Sequence, residues 1–359
     1  MSNVYSVIMA GGKGTRFWPA SREARPKQLL AIGSNESMIR QTVTRLGDLC
    51  PAERSIIVTG ASHVADIRTQ IPELPAANIL AEPTGRNTAP CVALAAAVVA
   101  KRDPEGIMAV FPADHVITDP AKLIAVVNNV ATFLDRHPDR LVTIGIEPAF
   151  AETGYGYIQK GAALANGLFA VEAFREKPDL PTAEEYVASG AYLWNAGMFF
   201  WKATTILTMI ERHMPDLMKA IAPLADAIGT PAFDDVMAKV YPTLPSESID
   251  YGVMEKAAAE GSVVVAPADP GWNDVGSWRS LYDLLAPDAN GNRSEGELIA
   301  IESTGVLARS DKRLIAVVGV DDVVVVETPD AILVVHKEKA QLVKNVVDEL
   351  KRRGRTDLL

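Results

Sequence analysis

The stretch "VIMAGGKGTRFWPASREARPKQLL" (residues 7–30) joins an apolar run to a glycine-rich loop that carries five cations and one acid. The chain as a whole is acidic, with a formal net charge of -10 over 359 residues. Gly11, Gly12 and Gly14 let the backbone approach a ligand closely and point its N–H groups at it. This local excess of positive charge indicates an anion-binding loop; the alternative is a solvated connection between a strand and a helix.

The loop differs from the two common phosphate-binding patterns. A Walker A motif would need glycine in place of Val7 and Ser or Thr in place of Gly14. A G-x-G-x-x-G fingerprint that started at Gly12 would need glycine in place of Phe17. The mobile cations of the loop still favour phosphate as its ligand.

Short β-branched runs alternate with helical patterns through the first half of the chain. The predicted strands cover residues 4–9, 55–59, 78–82, 107–112 and 141–146, and the predicted helices lie near 37–49, 62–71, 88–102 and 120–136. This alternation predicts an α/β fold, with a Rossmann-like, mostly parallel sheet and helices on both faces. Because ligands of such sheets bind beyond the carboxyl ends of the strands, we expect the loop to lie at the binding edge. "GYGYIQ", "FAVEAFREKP" and "AGMFFWK" read as strands lining an insertion, before helices over 203–240.

The chain changes character at "APDANGNRSEGE" (286–297), which is typical of a linker. We therefore predict a catalytic domain over 1–286 and a second domain over 287–359. Short β runs at roughly ten-residue spacing predict a small β-rich, β-solenoid-like domain. It would end in a helix with Leu342, Val343, Val346, Val347 and Leu350 on one face. We expect this domain to have a structural role, in which it packs on the catalytic domain or forms the contact of a homodimer.

Composition excludes several classes of protein. A pI near 5.1 argues against nucleic acid as a partner, since such binding needs a broad basic face. Cys50 and Cys91 are too few for a disulfide framework, so we expect reduced thiols in a cytoplasmic protein. The N-terminus has no secretory pattern, and the longest apolar run (89–100) is too short to span a bilayer. We therefore expect no membrane partner.

Six segments in order along the chain together resemble the sugar-phosphate nucleotidyltransferases. The first resembles the G-G-x-G-x-R-(L/F)-x-P…P-K signature of that family. The others are "AEPTGRNTAP" (81–90), "FPADHVI" (111–117), "ETGYGYI" with "FREKPD" (152–158 and 174–179), "WNAGMFFW" (194–201) and "GWNDVGSW" (271–278). "GRNTAP", "FPADH" and "NAGMF" favour the mannose-1-phosphate guanylyltransferase branch over the glucose branches.

The resemblance implies a nucleotide site in the first segments. The loop would fold over the triphosphate of GTP, with Arg16 on the departing diphosphate and Lys27 near the reacting centre. The predicted nucleotide-binding residues, from the loop and from the segment 81–90, are Gly11, Gly12, Gly14, Thr15, Arg16, Lys27, Glu82, Gly85 and Asn87. Glu82 would accept hydrogen bonds from the guanine donor edge, and amides around Gly85 to Asn87 would serve O6. Taken alone, the segment favours the other interpretation, a turn in which Asn87 or Thr88 is a helix N-cap.

The resemblance also implies a sugar-phosphate site and a metal. Tyr155 and Gly156 would contact the sugar, Glu176 would accept from its hydroxyls, and Lys177 would pair with its phosphate. Asn195 offers an amide with both donor and acceptor.

Asp114 and Asp274 would hold Mg²⁺, the expected cofactor, because two carboxylates with phosphate oxygens are a usual magnesium site. Arg16, Lys27 and Lys177 would complete the catalytic set with these two aspartates.

The implied reaction is GTP plus α-D-mannose 1-phosphate giving GDP-mannose and diphosphate. The attacking phosphate oxygen is already largely ionised, since the second phosphate pKa is about 6, so no general base is needed. Two alternatives remain open. The sugar could be another 1-phosphate, such as a heptose or fucose derivative or, more distantly, glucose with UTP or dTTP. The chain could also be a non-catalytic nucleotide-sugar sensor on the same fold.

Overall fold

The structure is a computed structural model that describes residues 3–12 and 14–359. Lys13, one of the five loop cations, lies outside the described residues. The strands are β1 (Val4–Ala10), β2 (Ser55–Gly60), β3 (Ile79–Glu82), β4 (Ile107–Pro112), β5 (Val116–Ile117), β6 (Leu141–Ile146), β7 (Gly156–Ala163), β8 (Phe169–Glu176), β9 (Tyr192–Lys202), β10 (Val263–Pro267), β11 (Trp272–Asn273), β12 (Arg293–Glu295), β13 (Leu298–Ile301), β14 (Leu307–Arg309), β15 (Ile315–Val318), β16 (Val323–Glu327) and β17 (Ile332–His336).

The helices are α1 (Met38–Thr44), α2 (Val64–Gln70), α3 (Thr88–Arg102), α4 (Pro120–Arg136), α5 (Leu180–Ser189), α6 (Ala203–His213), α7 (Pro215–Ala227), α8 (Phe233–Val240), α9 (Glu255–Ala259), α10 (Trp278–Leu284) and α11 (Val343–Arg352). A π-helical turn, Asp250–Met254, precedes α9. The strands and helices predicted for the first half are confirmed, although α1 ends at Thr44, before the predicted residue 49.

Residue contacts divide the chain into two units that are not continuous in sequence. The first comprises residues 3–11, 42–113 and 117–272, and the second comprises 12–41, 114–116 and 273–359. The predicted division into domains 1–286 and 287–359 stays a prediction.

The first unit is built on a nine-stranded sheet in the order β3-β2-β1-β4-β9-β6-β10-β8-β7. Strands β3, β2, β1 and β4 pair in parallel, as do β6 and β10. Strand β9 was expected in an insertion, but it lies between β4 and β6 and runs antiparallel to both. Its "MFFW" run is buried throughout, which suits a central strand covered on both faces.

Helices cover both faces of this sheet, as β4 illustrates. Its Met108 and Val110 join the core on the side of α3, α6 and α7. Its Ile107 and Phe111 join a second core with α4 on the opposite face. Because successive side chains of a strand point to opposite faces, a strand that is apolar at every position must be covered twice. The predicted α/β class is thereby confirmed. The sheet is mixed rather than mostly parallel, because β9, β8 and β7 pair with their neighbours in antiparallel fashion.

The second unit contains two small sheets, β12-β14-β16-β17 and β13-β15. Strands β12, β14 and β16 pair in parallel, as do β13 and β15. Leu298 pairs with Ile315 and Leu307 with Val324, so one coil of this solenoid spans seventeen residues and supplies two strands. The ten-residue spacing of the β runs reflects single strands rather than whole coils.

The predicted linker at 286–297 is wrong in its second half, because β12 begins within it. Asn292 is buried and links two turns of the solenoid: its Nδ2 donates to Ser303 O at 3.1 Å, and its Oδ1 accepts from Val306 N at 3.0 Å. A polar residue inside the core thus holds a segment whose composition is typical of a loop. The terminal helix is confirmed as α11, with Val343 and Val347 buried. Leu342, predicted on the same face, is the residue before α11 and is exposed.

Candidate active site

The glycine-rich loop leaves β1 at Ala10 and turns at two glycines with positive φ, Gly12 (98°) and Gly14 (58°). A Cβ atom on Gly14 would lie 2.6 Å from the Cβ of Lys27. Glycine at 14 is therefore required twice, for its left-handed backbone and for the close approach of the lysine. The turn Thr15–Phe17 follows, and the exposed Arg16 donates to Gly276 O at 3.4 Å.

Lys27 is the centre of the predicted catalytic group within the second unit. Its side chain is buried, and its Nζ donates to Asp114 Oδ2 at 2.9 Å, to Asp114 O at 2.9 Å and to Asp274 O at 2.7 Å. These three acceptors match the three hydrogens of an ammonium group. The structure therefore brings Lys27, Asp114 and Asp274 to one point. The predicted contact between Lys27 and nucleotide phosphates stays a prediction, and it requires the ammonium to exchange one of these partners.

The carboxyl groups suit a divalent cation. Burial works to raise the pKa of Asp114. The charges of Lys27 and His115, the hydrogen bond from Lys27 and one from the main chain of Asp114 outweigh it and hold that pKa below its ordinary value. The Asp114 side chain is 36% exposed, so a ligand can still reach its carboxylate. Asp274 Oδ1 accepts from Gly276 N at 3.1 Å, and Ser277 rather than Asp274 is the N-cap of α10.

Residues 3–12 and 14–359 contain no group of three or more His, Cys, Asp or Glu side chains arranged to hold a metal. Two carboxylates together with phosphate oxygens and water form a coordination that Mg²⁺ accepts, and the assignment of Asp114 and Asp274 to that ion stays a prediction.

Aromatic packing within the second unit fixes the loop that carries Lys27. Phe17 lies against Trp278, with ring centroids 4.8 Å apart. Trp278 Nε1 donates to Trp18 O at 3.0 Å, and Trp18 Nε1 donates to Leu358 O at 2.9 Å. Phe17, Trp18 and Trp278 share one core with Leu333 and Val347 of the C-terminal segment. This anchoring was not predicted from the sequence, where its one signal is the pair of large aromatic residues, Phe17 and Trp18, inside a loop otherwise rich in glycine and charge.

The predicted guanine-reading segment follows β3 in the first unit. Asn87 caps α3 through its side chain, which accepts from Thr88 N at 2.9 Å, so the alternative role as a helix cap is confirmed. Glu82 is buried, and the Tyr241 hydroxyl donates to its Oε1. Burial raises the pKa of Glu82 in spite of that hydrogen bond. Gly85 has open space around the position of a Cβ. The guanine-reading role of Glu82, Gly85 and Asn87 stays a prediction.

The predicted sugar-binding residues meet within the first unit, where β7 pairs with β8. Gly156 lies directly opposite Glu176, and a Cβ on Gly156 would lie 2.4 Å from Glu176 Oε2 and 3.2 Å from the Cβ of Asn195. Lys177 Nζ donates to Glu176 Oε1 at 2.8 Å, and Lys177 N donates to Tyr155 O at 3.2 Å. The structure thus gathers all five predicted residues, Tyr155, Gly156, Glu176, Lys177 and Asn195, around one strand pair.

The tyrosine ring packs between two tryptophans. Tyr155 makes edge contacts with Trp194, at a centroid distance of 5.3 Å, and with Trp272, at 5.4 Å. Its side chain is thereby held by aromatic packing, whereas its main-chain oxygen contacts Lys177.

The charges of this cluster are coupled. Burial works to lower the pKa of Lys177, but Glu176 and Asp250 outweigh it and raise that pKa. The Glu176 side chain is only 9% exposed, and its Oε2 has no hydrogen-bond partner among the described residues. A buried carboxylate oxygen without a donor is an acceptor site that a ligand can satisfy.

Asn195 has a narrower role than its amide alone suggests. Gly197 N lies 3.1 Å from Asn195 Oδ1 and can only donate, so this atom must be the amide oxygen. The Thr143 hydroxyl lies 3.2 Å from the same oxygen. The amide nitrogen donates to Asp250 Oδ1 at 2.9 Å, which leaves one Nδ2 hydrogen for a ligand. The Asn195 oxygen is thus already hydrogen-bonded within the protein, and the predicted contact between Asn195 and the sugar, which stays a prediction, would use the remaining Nδ2 hydrogen.

Two acidic residues of this cluster were missed by the sequence analysis. Asp250 receives the Asn195 amide, and Glu255 Oε1 accepts from Glu176 N at 3.0 Å. Both come from the turn Asp250–Met254 and α9, far from the recognised segments in sequence. The only local signal is an acid at each end of "DYGVME", which does not reveal a binding site. π-Helical turns are nevertheless frequent at functional sites.

None of the helices formed by the described residues has the length and apolar character needed to cross a membrane.

Comparisons with known proteins agree with these observations. The family model described as Nucleotidyl transferase matches residues 5–291, and the one described as MannoseP isomerase/GMP-like beta-helix domain matches 296–350. The chain is 43% identical to the xanthan biosynthesis protein XanB of Xanthomonas campestris pv. campestris (strain B100) and 40% identical to the mannose-1-phosphate guanylyltransferase of Escherichia coli (strain K12). Each alignment covers 99% of this chain and 75% of the relative.

A solved structure gives the same result at the level of the fold. The protein named mannose-1-phosphate geranyltransferase from Thermus thermophilus superimposes with a TM-score of 0.87 at 34% identity, over 97% of this chain and 99% of the other. The family resemblance inferred from the six segments is confirmed. The chain belongs to the nucleotidyl transferase family and is an enzyme of the nucleotidyltransferase class.

Proposed function

We propose that this chain transfers the guanylyl group of GTP to α-D-mannose 1-phosphate and releases diphosphate, with GDP-mannose as the product. The observation that carries this proposal is the single ammonium of Lys27 bonded to both Asp114 and Asp274 O, beside a glycine loop with positive φ. Relatives named mannose-1-phosphate guanylyltransferase support the choice of sugar and nucleotide.

The nucleotide end of the reaction needs charge neutralisation more than proton transfer. Amides of the Gly11–Thr15 loop would bind the triphosphate, and Arg16, which is exposed, would hold the departing diphosphate. Lys27 keeps Asp114 ionised and fixes the main chain at Asp274. Mg²⁺, held by the carboxylates of Asp114 and Asp274, would supply the Lewis acidity and the alignment that phosphoryl chemistry requires.

The sugar end needs recognition and charge balance. Glu176 Oε2 would accept from a sugar hydroxyl, and the remaining Nδ2 hydrogen of Asn195 would donate to a sugar oxygen. Lys177, with 55% of its side chain exposed, can leave Glu176 to pair with the sugar phosphate. The nucleophile is the phosphate oxygen itself, which carries its charge near neutral pH.

The direct test incubates the protein with Mg²⁺, GTP and mannose 1-phosphate and measures GDP-mannose and diphosphate. A panel with heptose, fucose and glucose 1-phosphates, each offered with GTP, UTP and dTTP, identifies the preferred pair. If no combination yields diphosphate, the transfer function is contradicted and the sensor alternative gains support.

Asp274→Asn tests the role of the Asp274 carboxylate independently of its main-chain oxygen, because that oxygen can still accept from Lys27. We expect this variant to bind GTP weakly in the presence of Mg²⁺ and to lose about 10²-fold or more in turnover. Near-normal turnover would contradict the metal assignment.

We also propose a homodimer in the cytoplasm. The outer faces of β13, β15 and β17 expose apolar side chains that a second copy of this chain could cover: Ile299, Ile301, Val318, Ile332 and Val334. Both cysteines are buried free thiols, as in proteins of a reducing compartment. A monomeric mass in light scattering would contradict the dimer.

A further inference from the structure

Asp250 lies at the predicted sugar site without an assigned role. It opens the π-helical turn Asp250–Met254, and its Oδ1 accepts from Asn195 Nδ2 at 2.9 Å. Since Gly197 N–H fixes which end of the Asn195 amide is oxygen, the direction of the Asn195–Asp250 hydrogen bond is fixed as well. Asp250 is therefore an acceptor, and its second oxygen, Oδ2, remains to be accounted for.

The surroundings of Asp250 place it beside the ligand-facing groups. The hypothetical Cβ of Gly156 touches both Glu176 Oε2 and Asn195 Cβ, so these two side chains border the same space, and Asp250 is bonded to one of them. Burial, and secondly the charge of Glu176, raise the pKa of Asp250 to about 7. The hydrogen bond from Asn195, one from the main chain of Asp250 itself and the charge of Lys177 oppose this rise. Two acids whose charges interact, of which one has a buried oxygen without a donor among the described residues, are stabilised when a ligand brings hydroxyl groups.

We propose that Asp250 is a specificity-determining residue of the sugar-phosphate site. Its Oδ2 accepts a hydrogen bond from one sugar hydroxyl, Glu176 Oε2 accepts from another, and Oδ1 keeps the Asn195 amide aimed at a sugar oxygen. The ligand class is a 1-phosphorylated sugar with at least two free hydroxyls within reach of these carboxylates. This inference rests on the proposed function, because it assumes that the cluster binds the sugar phosphate.

Asp250 could instead have a purely structural role, in which it only orients Asn195. Asp250→Asn distinguishes this role from direct binding of a sugar hydroxyl. Its amide oxygen can still accept from Asn195 Nδ2, so the internal hydrogen bond survives. Its amide nitrogen replaces Oδ2 and can only donate, so the acceptor for the sugar hydroxyl is lost. A residue that only orients Asn195 would therefore tolerate this change.

The experiment measures, by calorimetry with Mg²⁺ present, how strongly mannose, glucose and fucose 1-phosphates and monodeoxy forms of each bind. It compares the wild type, Asp250→Asn and the matched control Asp226→Asn, which alters an exposed aspartate of α7. For the sugar that the wild type binds best, we expect Asp250→Asn to weaken binding by about 10- to 100-fold. We expect the control to bind as the wild type does, and GTP affinity to be unchanged in both variants.

The deoxy sugars identify the contact. One deoxy form should bind the wild type weakly, and the same form should bind Asp250→Asn no more weakly than the parent sugar does. Unchanged affinity in Asp250→Asn, equal penalties for every deoxy form in both proteins, or binding of no sugar phosphate by the wild type would each overturn the proposal. If another sugar binds best and shows this pattern, Asp250 keeps its role and only the choice of mannose fails.

Discussion

Gly156→Ala tests whether the Gly156–Glu176–Asn195 cluster binds the sugar phosphate. The added Cβ would lie 2.4 Å from Glu176 Oε2, whereas relaxed carbon–oxygen contacts lie near about 3.3 Å, so the carboxylate must retreat by about 1 Å. The Glu176 side chain is 9% exposed and has little room to do so, and Asn195 Cβ, at 3.2 Å, must also yield. A displacement of about 1 Å in a positioning group can lower the rate about 10²-fold.

The effect on folding should be smaller than the effect on activity. Overpacking costs about 1–3 kcal/mol, and replacing glycine by alanine returns about 0.4–1 kcal/mol by restricting the unfolded chain. We therefore expect a loss of unfolding free energy of no more than about 2.6 kcal/mol. The φ of Gly156 is not positive, so backbone strain does not enter.

The assay is steady-state kinetics with each substrate varied in turn. We expect kcat/KM for mannose 1-phosphate to fall by about 10²-fold while KM for GTP changes little. Gly60→Ala is the control, because its Cβ would meet only ordinary contacts, the nearest being His63 at 3.5 Å. If Gly156→Ala keeps the wild-type kcat/KM and is equally stable, Glu176 is not fixed beside Gly156 as a residue that binds the sugar phosphate.

Three further changes address other parts of the molecule. Lys27→Met removes the ammonium that holds Asp114, so we expect kcat to fall by about 10²-fold or more, with a higher Mg²⁺ requirement; an unchanged Mg²⁺ titration would contradict the link between lysine and metal site. Trp278→Phe removes the hydrogen bond to the loop and leaves a cavity, and we expect about 1–3 kcal/mol of lost stability, seen in thermal unfolding, with a raised KM for GTP alone. The pKa of Asp250 is raised to about 7 in the folded protein, above about 3.9 in the unfolded chain, so the folded state binds more protons between these values and the wild type loses stability as pH rises through that window. Asp250→Asn does not lose stability in this way. The Tm of the variant minus the Tm of the wild type should therefore increase between about pH 5 and about pH 8, and a difference that does not change with pH would show that Asp250 titrates normally.

Local patterns were sufficient for most secondary structure and for the recognised segments. Apolar runs such as β4 predict buried strands because every position must be covered, and the loop glycines predict close approach of the backbone to a ligand because they lack a Cβ. The chain order of six short motifs was enough to identify the family. Each strand, turn and motif depends on residues close together in sequence, which is why it could be predicted from the sequence alone.

Long-range packing decided the rest. The central place of β9 depends on pairing with β4 and β6, which no local pattern encodes. The joining of Lys27 to Asp114 and Asp274 depends on segments 87 and 247 residues away. Asp250 reaches Asn195 across 55 residues, and its raised pKa arises only because folding buries it beside Glu176. The sequence by itself determined which functional groups are available. The tertiary structure decided which of these groups form hydrogen bonds, interact through their charges or border the same ligand site, because hydrogen bonds and desolvation depend on distance in space.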